Sequence, residues 1–186
     1  MSVVLSEGLM LAGIAWPLVV VGLLILPGLR SVGLALTPWA ALPVLLLSTF
    51  PNSTLKLPDV MLGGTLALDA TGRVFLLLIS ILWLASGVLA RARLLAVGSN
   101  VLAVMLLLAM TASFGLVLAG DALLFFAAAT VAGYSLYGAL AYEADTQTRK
   151  AGRVLVVLMV FSDLLVFEVL LMLGQAAGTV DFVSLR

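Results

Sequence analysis

The sequence predicts an all-α integral membrane protein of six transmembrane helices, with an outer hairpin-like loop between the second and third. Three observations carry that prediction. Of the 186 residues, 64% are hydrophobic and 10% charged, and mean hydropathy is +1.31, so a water-soluble domain of this size would lack polar surface. Six runs are long and apolar enough to cross a hydrocarbon core, which takes about 20 helical residues. The connection after the second run, "PNSTLKLPDVMLGGTLALDATGR", carries Gly63-Gly64 between Leu- and Val-bearing segments, which signals a hairpin.

The reactive residues narrow the function classes. Nine basic and nine acidic residues cancel, which argues against nucleic acid or an anionic membrane surface as partner. There is no Cys and no His, which excludes thiol chemistry, Cys/His zinc sites and His-ligated haem, and no cofactor is expected. The N-terminal "MSVVLSEGLM" lacks a basic n-region and no A-x-A-like site closes the first run, so that run reads as a retained helix.

In order, the first span is Gly8–Leu29 and the second Val32–Phe50. Pro17, Pro38 and Pro43 fall inside them and predict kinks, because in lipid neighbouring groups re-satisfy the carbonyl that a proline frees. The third span is Arg73–Ala90. The fourth and fifth, Val101–Leu118 and Asp121–Tyr142, meet at "AGD", with only Ala119 and Gly120 between them, which forces a tight turn and an antiparallel pair. The sixth is Val154–Leu173, and "GQAAGTVDFVSLR" reads as a tail without defined structure. Residues 1–186 thus form a single transmembrane domain. Asn52-Ser53-Thr54 is formally a glycosylation sequon, a tripeptide common by chance.

Loop charges orient the bundle. One side carries Arg30, Arg91, Arg93, Arg149, Lys150 and Arg153, and the other Lys56, Arg73 and Arg186. The richer side is expected in the cytoplasm, with both termini outside, as for a bacterial inner (plasma) membrane.

Most charges sit at helix ends, where they reach water. Asp163 and Glu168, inside "VLMVFSDLLVFEVLLMLG", do not. Asp163 is near the middle of its span. Glu168 lies about 7.5 Å further along and about 140° round the axis, so the two cannot easily share a neighbour. A central carboxylate costs about 2.5–3.5 kcal/mol on insertion scales and should face the protein interior or water. Two readings of Asp163 stand side by side: a proton-relay or ion-binding position, and a hydrogen-bonded carboxyl that fixes helix packing. Glu168 is close enough to the outer interface to meet water or a partner subunit.

The fifth span, "DALLFFAAATVAGYSLYGALAY", is narrow in the middle because of Ala127, Ala128, Ala129, Ala132 and Gly133, as close packing in lipid requires. Thr130, Tyr134 and Tyr137 recur at i, i+4 and i+7 as a polar stripe suited to interhelical hydrogen bonds. Thr130 and Asp163 fall at similar depth, so Thr130 is expected to hydrogen-bond Asp163 if the last two helices touch. Asp121, at the helix start, is expected to cap it. Thr130 joins Asp163 and Glu168 as a proton-relay candidate.

Two segments resemble a known family. "LALDATGRVFLLLISILWLASGVLA" resembles the entry to the third helix of the antiporter-like subunits of respiratory complex I and multisubunit cation/proton antiporters. "GDALLFFAAATVAGYSLYGALAYEADTQTRKAGRVLVVLMVFSDLLVFEVLLMLG" is similar to that family's fifth helix, basic loop and sixth helix. The resemblance covers about residues 8–175 and implies the N-terminal six-helix portion of such a subunit, in proton-translocating company. It also implies losses. The seventh and eighth helices, which supply the family's central lysines and broken helix, are missing, and the fifth-helix glutamate aligns with Thr130.

The resulting expectation is an accessory membrane subunit, with no catalysis of its own, in a multisubunit ion- or proton-translocating complex. Its partners would be other membrane subunits, chiefly a full-length antiporter-like protein, within the lipid bilayer. Complex I relatives, membrane-bound hydrogenases, cation/proton antiporters and energy-coupled inorganic-carbon uptake systems are all compatible. The alternative is a self-sufficient, oligomeric proton-coupled transporter using Asp163, though the chain shows no inverted repeat. A membrane-embedded enzyme lacks an evident catalytic set.

Overall fold

Apolar runs of this length fold as helices because hydrocarbon offers backbone N–H and C=O groups no other partner. The computed structural model describes residues 2–26, 28–58, 63–97, 100–142, 146–179 and 181–182. Its elements are α1 (Ser2–Ile25), α2 (Arg30–Leu36), a 3-10 turn (Thr37–Ala41), α3 (Leu42–Leu47), β1 (Ser53–Leu57), β2 (Gly64–Leu68), α4 (Ala70–Val97), α5 (Asn100–Leu118), α6 (Ala122–Tyr142) and α7 (Thr146–Ala177). α2, the turn and α3 together make one span, giving six segments long and apolar enough to cross a membrane, the build of an integral membrane protein.

The helix boundaries differ from expectation at several ends. α1 stops at Ile25 rather than Leu29, because the following Leu26-Pro27 step disfavours helical backbone. The second span ends at Leu47 rather than Phe50. α4 runs to Val97 instead of Ala90, and α7 covers 32 residues. At about 1.5 Å per residue α7 outreaches the roughly 30 Å hydrocarbon thickness.

The prolines act in two ways. α1 runs through Pro17. Pro38 and Pro43 instead each sit in the first two positions of a new piece, where a missing N–H leaves no carbonyl short. The second span is therefore broken into α, 3-10 and α pieces rather than simply kinked. The Thr37 hydroxyl donates to the Gly33 carbonyl at 2.9 Å and helps hold the break. α4 closes on it backbone to backbone, since a Cβ on Gly87 would come within 2.8 Å of Pro38 Cα.

α5 is central. Half of its span is buried, and α1, α4 and α6 pack around it. Met10, Val20, Val44, Leu76, Leu107 and Phe114 form the middle of the core. At the end away from the hairpin, Asn100 accepts from Arg30 Nε at 2.6 Å and donates to the Leu24 carbonyl at 2.8 Å. That ties the end of α1 to the starts of α2 and α5. Arg91, Arg93, Lys150 and Arg153 fall at the same end by chain direction, whereas Lys56 and Arg73 fall at the hairpin end. Arg186 and the side chain of Arg149 lie outside the described residues.

The hairpin pairs Ser53 with Leu68 through Leu57 with Gly64. Its loop spans 58–63, so Gly63-Gly64 lies at the loop's end rather than its centre; residues 59–62 lie outside the described residues. Gly63 has φ +94°, a backbone setting that favours glycine. The hairpin does not stand alone. Leu66 bridges Ala119 in the α5–α6 turn, and Gly120 N–H donates to Thr65 O at 2.8 Å. A Cβ at Gly120 would lie 2.9 Å from that same carbonyl, so the approach needs glycine. The tail is not structureless up to Phe182: Asp181 bridges Asp121, Phe182 N–H donates to Gly120 O at 2.9 Å, and Phe182 meets Phe125 edge-on at 6.1 Å.

Candidate functional site

The site lies along the seam between α6 and α7. Small residues on α6 serve two neighbours. Towards α5, Ala128 meets Gly115 and Gly138 meets Met105; towards α7, Gly133 meets Met159. Tyr137 covers Gly152, and Phe126 packs on Phe167 with ring centroids 5.2 Å apart. These contacts set an antiparallel register in which Thr130 and Asp163 are level, as their depths suggested.

Their pairing is different. The Thr130 hydroxyl is buried and has no hydrogen-bond partner among the described residues. The Tyr134 hydroxyl instead faces the Asp163 carboxylate, within electrostatic reach. The reason is side-chain direction. Helical side chains lean toward their own N-terminus, so a tyrosine four residues on reaches back about one turn to the level of Thr130. Threonine's short stem stays against its own helix. Tyr134 and Tyr137 of the expected stripe thus face α7, and Tyr134 is the one turned to the acid.

Asp163 is half-buried. One turn nearer the hairpin, Phe126 and Phe167 close the seam. Beyond them it opens into a cavity of about 350 Å³, whose walls include Lys56, Thr65, Asp121, Leu171 and Asp181. Both members of the aromatic pair also line it, so they separate Asp163 from the cavity's polar groups. The Thr65 side chain is 9% exposed and its hydroxyl has no partner among the described residues.

Asp121, buried against the hairpin, uses both oxygens. Oδ1 accepts from Leu124 N–H at 2.8 Å, the expected helix cap, and Oδ2 accepts from Thr65 N–H at 2.7 Å. The second bond joins residues distant in sequence and carries no local signal.

Glu168 does not join Asp163. It is exposed, on the face of α7 turned from α6. Met159, against Gly133, is nine residues away and so about 180° round the helix. Val157, Phe161, Leu164 and Met172 fall within about 40° of Glu168 and are all more than half exposed. Their spacing from Glu168 was readable as a helical face, but its orientation needed the position of α6. Among the described residues there is no group of three or more acids able to hold a metal. No protein-family model matches the chain, and no curated protein matches it.

Proposed function

We propose that the chain is an accessory subunit of a multisubunit ion- or proton-translocating membrane complex, beside a fuller antiporter-like subunit. The observation that carries this reading is α7. It holds two carboxylates at membrane depth, packs chiefly against α6, and buries none of its span. An acid inside a bilayer normally faces protein or water. A rim helix so equipped suits a chain that a neighbour completes.

Asp163 then supplies a partial proton path with the Tyr134 hydroxyl facing it. The cavity at the hairpin end is its outer vestibule, and Phe126 with Phe167 is the barrier between them. The hairpin end faces outward and the arginine-rich end lies in the cytoplasm, following the charge asymmetry, in a bacterial inner membrane. The resemblance to antiporter-like subunits supports the same class of complex, from complex I relatives and hydrogenases to inorganic-carbon uptake systems.

The test is purification of the tagged chain from its own membranes in mild detergent, followed by flux measurement in proteoliposomes. Stable co-elution with a larger ion-translocating membrane protein is expected, and Asp163→Asn should lower proton flux of the assembled complex. A chain that emerges alone and monodisperse refutes the accessory role. Unchanged flux in Asp163→Asn leaves Asp163 with packing alone. The broken second span favours a second reading, a self-sufficient transporter, since interrupted helices build transport sites. That reading expects proton-coupled transport from the chain reconstituted by itself.

A further inference from the structure

Building on the accessory-subunit reading, we infer that the outward face of α7 around Glu168 is the docking surface for a partner's transmembrane helix, and that this helix carries a Lys or Arg at the depth of Glu168. Three features lead there. From Val157 to Met172 the face is apolar apart from its carboxylate: Val157, Phe161, Leu164 and Met172 surround Glu168 at helical spacing, all exposed. The carboxylate lies within the span rather than at its end. It lies about 7.5 Å from the level of Asp163, and its Cα–Cβ bond leans toward the start of α7, away from the nearer membrane surface. Reaching water along that lean is therefore harder than for a lysine or arginine near a helix end, whose long stem snorkels. The helix itself has no group to offer within a turn, where Leu164, Leu165, Leu171 and Met172 are the neighbours, and α6 occupies the opposite face, against Met159 and Gly152.

A second copy of this chain does not suit the face. A two-fold axis along the membrane normal would bring Glu168 against Glu168 at equal depth. The basic residues of α7 with described side chains, Lys150 and Arg153, are at least 15 residues, or about 22 Å, below it. A two-fold contact through this face therefore supplies no cation at that depth, and the partner helix is assigned to a different chain. Once lipid is excluded, an ion pair or charge-assisted hydrogen bond gives that partner its register.

The experiment places p-benzoylphenylalanine at Phe161, Leu164 or Met172 in the full chain, with Val74 and Leu78 on the exposed side of α4 as comparison positions. Native membranes are irradiated, and adducts are mapped by mass spectrometry. The expected adduct joins the three α7 positions to one transmembrane segment of another subunit, with a Lys or Arg within about one turn of the mapped site. Glu168→Leu should reduce its yield about tenfold or more, as loss of a desolvated charge partner does, while Glu168→Gln retains more of it. Adducts to lipid alone, or to a second copy of the chain, overturn the proposal. So does a partner segment without a basic residue, or a yield unmoved by Glu168→Leu. Partner adducts confined to α4 overturn this docking face but leave the accessory role intact, whereas a chain that purifies alone refutes the role itself.

Discussion

Asp121 joins three parts of the fold, and its removal gives a calculable loss. Asp121→Ala deletes the cap on Leu124 N–H, worth about 1 kcal/mol, and leaves the buried Thr65 N–H without an acceptor, which costs about 1–3 kcal/mol more. The total of about 2–4 kcal/mol corresponds to a drop of about 4–16 °C in melting temperature for a chain of this size. Asp121→Ser separates the two parts. A serine can still cap α6 but is too short to reach Thr65, so about 1–3 kcal/mol should be lost. Asp121→Asn should fall between parent and alanine, since one amide oxygen replaces two acceptors. Thermal unfolding of the purified protein in detergent, followed by size-exclusion fluorescence, reads all three. Alanine and serine variants melting within about 1 °C of the parent would show that the hairpin stitch contributes nothing.

Other perturbations test other parts of the structure. Tyr134→Phe removes the hydroxyl facing Asp163 and should change proton flux of the assembled complex in the same direction as Asp163→Asn, to a smaller extent, while the melting temperature stays close to that of the parent. Phe126→Ala should make a cysteine introduced at Asp163 react faster with a water-soluble maleimide added from the hairpin side; an unchanged rate would mean that the ring is no barrier. Gly87→Ala should destabilise by about 1–3 kcal/mol because Pro38 Cα cannot move aside as a side chain would. Gly22→Ala, which meets nothing within 4 Å, should be neutral or stabilising in the same melting assay. Asn100→Ala should cost about 1–3 kcal/mol, since it removes the acceptor for Arg30 Nε and the donor to the Leu24 carbonyl.

The candidate site was partly legible before any contact was known. Length and hydropathy put Asp163 near the middle of an apolar span, and counting residues from the helix ends put Thr130 at its level. Equal depth on touching helices does not by itself make a bond, and tyrosine's backward lean brings Tyr134 rather than Thr130 to the acid. Prolines were visible as helix disturbances, yet whether each bends a helix or opens a new piece depends on its neighbours. Pro17 lies in a continuous α1, while α4 packs at Gly87 against the broken segment at Pro38.

The sequence by itself determined that the chain has six segments long and apolar enough to cross a membrane, that Asp121 caps a helix, and that two carboxylates lie in the last of them. Those follow from the local cost of exposing peptide groups or charge to hydrocarbon. Only the tertiary structure decided that Asp163 faces Tyr134 while Glu168 faces outward, and that the hairpin, the α5–α6 turn and the tail meet at Gly120 and Asp121. Helical spacing fixes the angle between two side chains on one helix, but the direction of either is set by the neighbour against which that helix packs.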